Sequence, residues 1–309
     1  MKEMTSASTD KPETATPEAT REAMLRLAGR GYAQIRHVLV QLPDQDKVRA
    51  STLALMVTGR RHRELLLYML LVTCWSWLEG NDEPLAAAVW ARALNARGGL
   101  TWSPSTLSRS WKHLEAMGLI EPRTREDRHV RVVPRREDAG EIYTPPGGRT
   151  DRWNKYFTIP DAFWRDEWFA RLSMPALAVL LVVAKETSNQ PECWFTYSRM
   201  DAWYGLKART VQTGVKDLRD AGLLFTREQT VAAPLSATGK TTQVWYSLTG
   251  EFSYASREAL KRSARAEVAK RQRQNASKPA KPKAPNASEG SLRLMAQPST
   301  KRRRTTKGR

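Results

Sequence analysis

Two fifteen-residue segments, 104 positions apart, carry the same order of apolar, basic and glycine positions. The first is Thr106-Leu-Ser-Arg-Ser-Trp-Lys-His-Leu-Glu-Ala-Met-Gly-Leu-Ile120. The second is Thr210-Val-Gln-Thr-Gly-Val-Lys-Asp-Leu-Arg-Asp-Ala-Gly-Leu-Leu224. Both read Thr, apolar, three variable residues, apolar, Lys, any residue, Leu, two variable residues, Met or Ala, Gly-Leu and an aliphatic. An internal repeat constrains architecture first, because like segments build like supersecondary units. The chain therefore reads as two similar units, each with an amphipathic helix ended by glycine and followed by a strand.

The 309 residues leave room for two domains of ordinary size. The net charge of +19 favours a polyanionic partner. That charge is concentrated: residues 251–309 hold 17 Lys plus Arg against 4 Glu, and the rest holds 34 basic against 28 acidic residues. Cys74 and Cys193, one per unit, make neither a disulfide framework nor a metal knuckle and read as small buried apolar residues in a reducing cytoplasm. Residues 1–20 are polar and lack a leader pattern. The longest uncharged apolar run, Leu65 to Leu78, is shorter than the ~20 residues of a spanning helix and reads as a core helix. The expected setting is cytoplasmic and nucleoid-associated, with no membrane partner.

Composition and punctuation divide the chain into residues 1–17 (disordered), 18–133 (first unit), 134–152 (linker), 153–250 (second unit) and 251–309 (a basic tail, helical then disordered). Ser103-Pro104 is a strong helix start. In the helix after it, Leu107, Trp111 and Leu114 form the inward stripe, leaving Ser105, Ser108, Arg109 and Lys112 outward. Short strands are expected at 119–123 and 130–133, joined by a charged loop, Thr124 to Arg128. In the second unit the turn Gly205-Leu-Lys207 leads to a helix from Ala208 to Ala221. There Val211, Val215 and Leu218 face inward, and Arg209, Gln212, Thr213 and Lys216 outward. Strands at 223–227 and 244–248 enclose a long loop.

Apolar helix, short helix, turn, helix with a basic outer face, then a hairpin: this order resembles the winged helix-turn-helix superfamily, in two tandem copies covering roughly half the chain. The second copy matches better, because residues 96–102 make the first copy's turn longer. The resemblance implies a mostly α fold with small β-hairpin wings. It further implies double-stranded DNA as partner, read by a helix in the major groove. On that likeness the outward residues Ser105, Ser108, Arg109, Lys112, Arg209, Gln212, Thr213 and Lys216 are the groove contacts. Arg123, Arg125, Arg128 and Arg131 of the first wing and Lys240 of the second are the phosphate contacts.

No enzymatic constellation emerges, so no cofactor, metal or small-molecule substrate is expected. Thr238-Gly-Lys-Thr-Thr242 has Pro234 where a phosphate-binding loop needs its first glycine. His37, His62, His113 and His129 lack metal-ligand spacing. Asp161, Asp166 and Glu167 have no base or nucleophile partner and read as surface charges. The expectation is a non-enzymatic DNA-binding protein, first a transcriptional regulator, bound to its site as a monomer. A plasmid or mobile-element replication initiator is the alternative, and a winged-helix assembly factor the third reading.

Overall fold

The computed structural model describes residues 14–43, 51–126, 129–147 and 151–276. Thr16 opens the first element, its hydroxyl capping the Ala19 N–H at 3.1 Å, with Pro17 at the first helical position. That helix is α1 (Pro17–Ala28). Then come β1 (Tyr32–Arg36), a 3-10 turn (His37–Leu39), α2 (Thr52–Thr58), α3 (His62–Leu78), α4 (Ala87–Leu94), α5 (Pro104–Ala116), β2 (Thr124–Glu126) and β3 (His129–Arg131). The second half runs β4 (Tyr156–Pro160), α6 (Ala162–Arg165), α7 (Trp168–Arg171), α8 (Met174–Glu186), β5 (Cys193–Trp194), α9 (Tyr197–Tyr204), α10 (Ala208–Asp220), β6 (Leu224–Ala232) and β7 (Lys240–Leu248). A 3-10 turn (Gly250–Phe252) leads into α11 (Tyr254–Ala276). The protein is mostly helical with small antiparallel sheets.

The described residues up to 266 form one compact body, and residues 267–276, which are helical, belong to a second. Inside the first body each half is built round a helix that is apolar nearly all round. Leu65 to Val72 of α3 and Ala176 to Ala184 of α8 are buried, as suits helices enclosed on all sides. Both lie in one continuous apolar cluster. The halves meet at a strand pair: β1 and β4 run antiparallel with Tyr32 opposite Pro160 and Arg36 opposite Tyr156. Each strand reads Tyr-x-x-Ile (Tyr32 and Ile35, Tyr156 and Ile159), and α3 packs on β1 as α8 packs on β4. Gln34 opposite Thr158 is the centre of this antiparallel pair.

Within the segment expected as a linker, 134–152, residues 135–144 are held in this seam. The Glu137 side chain is 0% exposed; its Oε2 accepts from the Arg36 guanidinium at 3.0 Å and its Oε1 from the Arg36 backbone N–H at 3.0 Å. The same guanidinium donates to Asn154 Oδ1 at 2.9 Å and lies over the Tyr143 ring. Tyr68 donates its hydroxyl hydrogen to the Arg135 carbonyl, and Thr52 to that of Glu137. A polar, glycine-containing stretch has no apolar periodicity to reveal burial, so it reads as a linker although hydrogen bonds hold it inside.

Three further expectations change. Thr16 and Pro17 belong to α1 rather than to a disordered segment, of which residues 1–13 lie outside the described set. In the first hairpin the strands begin at Thr124 and His129, while Ile120 makes only a bridge to Pro134. The basic tail starts later than residue 251. Phe252, Arg257 and Lys261 are buried, and Arg257 donates to the carbonyls of Ala184 at 2.8 Å and Thr187 at 2.9 Å. Arg257 therefore satisfies the carbonyl end of α8, which a basic side chain suits well.

Candidate nucleic-acid interface

The second repeat folds as helix α8, short helix α9, turn and helix α10. Thr196 caps α9 through the Arg199 N–H, and Gly205 ends it in the left-handed region. Leu206 buries the centre of the turn, and Lys207 Nζ spans it to Asp201 Oδ2 at 2.9 Å. Val211, Gly214, Val215 and Leu218 form the inward face of α10. A Cβ on Gly214 would lie 2.3 Å from the Pro175 carbonyl oxygen, so the absent side chain lets α10 rest directly on α8. Gly222, in the left-handed region at φ +71°, releases the chain into β6.

The opposite face carries Arg209, Gln212, Thr213 and Lys216, all exposed. Arg209, Gln212 and Thr213 have no side-chain partner among the described residues. Lys216 makes only an exposed pair with Asp220 at 3.3 Å, of the kind worth a few tenths of a kcal/mol. Beside this face β5, β7 and β6 form a three-stranded antiparallel sheet, with nine paired positions between β6 and β7. The expected loop is therefore short, and Lys240 lies exposed at the distal end, opposite Ala232. Thr238 to Thr242 turn the hairpin and enter β7, and no helix follows to cradle a phosphate.

The first repeat has the same order, α3, α4, α5, β2 and β3. Ser103 caps α5 through the Thr106 N–H at 3.2 Å, and Gly118 repeats the φ of +71° seen at Gly222. The longer turn is held by Asn95, which both donates to and accepts from the Trp102 backbone. Trp90 and Trp111 meet edge to face at 5.5 Å between α4 and α5. Ser105, Ser108, Arg109 and Lys112 are exposed on α5. Two of the wing arginines expected at phosphate also bond within their own chain. Arg123 pairs with Glu115 at 2.9 Å, and Arg131 donates to the Asp82 carbonyl at 2.6 Å. Arg128, and the side chain of Arg125, lie outside the described residues.

Some residues at this surface escaped the sequence reading. Arg199 of α9 stacks over Trp194 at 4.7 Å and Trp203 at 5.4 Å, and Arg227 of β6 bonds Glu192 at 2.8 Å. The four-residue spacing of Arg199 and Trp203 on one helix face was the available signal. Asp161 is buried rather than a surface charge, and desolvation raises its pKa to about 6. Burial also pushes the thiols of Cys74 and Cys193 up to about 12.

A family model described as a helix-turn-helix domain matches residues 170–224, from α7 to the first residue of β6. No curated protein and no solved structure matches the chain. The second half thus carries a helix-turn-helix domain, the class of module whose second helix enters the DNA major groove. Among the described residues no helix is long and apolar enough to cross a membrane.

Proposed function

We propose that this chain is a sequence-specific double-stranded DNA-binding protein with two tandem winged-helix units, acting as a transcriptional regulator. The observation that carries the reading is the exposed face of α10. Arg209 and Gln212 suit guanine and adenine edges, Thr213 suits either, and Lys216 suits phosphate. They sit on a helix held rigidly against α8 at Gly214, within the matched helix-turn-helix segment. The presence of α5 and α10 on one chain supports a second element of the reading: a single chain carries two helices of the kind that the two subunits of a dimer would otherwise supply. Because their outer faces differ, the target is an imperfect repeat of two unlike half-sites, bound by one chain.

A replication-initiator role is the second reading. Selection from random DNA, followed by footprinting and sedimentation of the complex, tests the proposal. The expected result is an asymmetric site with one chain bound. A perfect inverted repeat occupied by two chains, or no enrichment at all, would overturn it. Mapping the sites in the genome then separates operators beside genes from repeated boxes at an origin.

A further inference from the structure

A cavity of about 800 Å³ opens where the end of α8 meets β4 and α11, away from the outward face of α10. Lys155, Lys185, Lys261 and Arg265 face it, against Glu186 and Glu258. Two of the cations are compensated locally: Lys185 Nζ donates to Glu186 Oε1 at 2.5 Å and Lys261 Nζ to Glu258 Oε1 at 2.6 Å. The side chains of Lys155 and Arg265 are exposed and have no hydrogen-bond or ion-pair partner among the described residues. His37 also lines the cavity, and its Nε2 is buried without a partner. Desolvation, then Lys185, hold its pKa down to about 4, so the imidazole is neutral at physiological pH and can give or take one hydrogen bond. A buried polar atom without a partner costs free energy.

We propose that this cavity binds a small phosphate monoester of nucleotide size. Two uncompensated cations match the two charges of such a group, and the volume lies in the range of small-molecule sites. Ser188 and Asn189 supply polar groups, and Tyr156 and Tyr254 aromatic walls, for the non-phosphate part. The site also communicates with the helix-turn-helix. Glu186 Oε1 accepts both from Lys185 and, at 2.6 Å, from the hydroxyl of Tyr204, the last residue of α9. A phosphate that draws Lys185 away from Glu186 alters the anchor of α9, and by linkage changes DNA affinity reciprocally. Binding stands apart from the DNA reading; only this coupling rests on it.

The test is calorimetry on the full chain with AMP, ribose 5-phosphate, inorganic phosphate and adenosine. AMP or ribose 5-phosphate binds saturably below about 1 mM, and adenosine does not. Lys155→Ala and Arg265→Ala each weaken that binding about tenfold or more, as loss of a charge-assisted contact does, with an unchanged melting temperature. Arg209→Ala leaves it unchanged, even where it abolishes DNA binding, so the two readings fail separately. The proposal falls if none of the phosphates binds. It falls equally if Arg209→Ala weakens AMP as much as Lys155→Ala does. If Lys155→Ala and Arg265→Ala reduce DNA affinity while AMP does not bind, the face belongs to the DNA backbone and the cavity has no ligand of its own.

Discussion

In the second unit the side chains of Arg209, Gln212 and Thr213 stand exposed with no partner among the described residues, beside a hairpin paired over nine positions. In the first unit the hairpin pairs over three positions, and two of its arginines bind their own chain, Arg123 to Glu115 and Arg131 to the Asp82 carbonyl. Ser105, one of the outward residues of α5, shares a hydrogen bond with the capping Ser103 at 2.9 Å. The two units share a plan, yet differ in how much polar capacity is left for another molecule. A donor already satisfied within the fold must lose that bond before it contacts DNA, so its net contribution is small. The second unit is therefore expected to dominate base reading, with the first adding position and a weaker preference.

The largest effect should come from the seam that both units share. Glu137→Ala leaves the Arg36 guanidinium buried without its carboxylate, a change that costs ~3–5 kcal/mol. Urea unfolding followed by two probes, one aromatic and one helical, should show a single transition at lower denaturant. Two separated transitions would mean that the halves are independent domains after all.

Next is the contrast between reading helices. Arg209→Ala or Gln212→Ala should cost ~1–3 kcal/mol on the selected site and little on random DNA. Arg109→Ala should cost less than either. Equal losses, measured by fluorescence anisotropy at fixed salt, would remove the asymmetry between the units.

Packing gives a comparison of similar size. Ser110 occupies in α5 the position of Gly214 in α10, and it is buried. Gly214→Ala gains ~1 kcal/mol of helix propensity but meets a backbone carbonyl that cannot move aside, at a cost of up to ~3 kcal/mol. The net should be destabilising by ~1–2 kcal/mol in thermal unfolding, while Ser110→Ala stays below about 1 kcal/mol. A neutral Gly214→Ala would show that α10 and α8 are not in close contact.

The smallest expected effect is a pH dependence at Asp161. Its folded pKa, about 6, lies above the ordinary carboxylate value, so folding takes up a proton. That contribution is present at low pH and is lost as the pH rises through about 6. Asp161→Asn should therefore raise stability by ~1–2 kcal/mol near pH 8 and change little near pH 4. A variant whose gain is the same at both pH values would exclude burial of the charge as its cause.

The helices were legible because their signals are local. Hydroxyl caps at Ser103, the Gly118 and Gly222 exits and the spacing of Leu107, Trp111 and Leu114 act within a few residues of one another. The same holds for the outward faces of α5 and α10, since sidedness follows from helical periodicity alone. The wings were less legible: a run such as Glu228 to Val231 is polar enough to read as loop, and becomes strand only because β7 lies beside it.

From sequence alone came the repeat, the two amphipathic helices with their basic outer faces, and the concentration of positive charge toward the end of the chain. Each depends on neighbours along the chain, so spacing and composition suffice. The tertiary structure alone decided that Glu137 is a buried partner of Arg36 and that Arg257 caps α8. It also decided that β1 and β4 join two repeats into one core. These are pairings between residues 101, 73 and more than a hundred positions apart, at polar or weakly patterned sites. A charged residue looks the same in sequence whether it faces water or a partner, and only the folded chain supplies the partner.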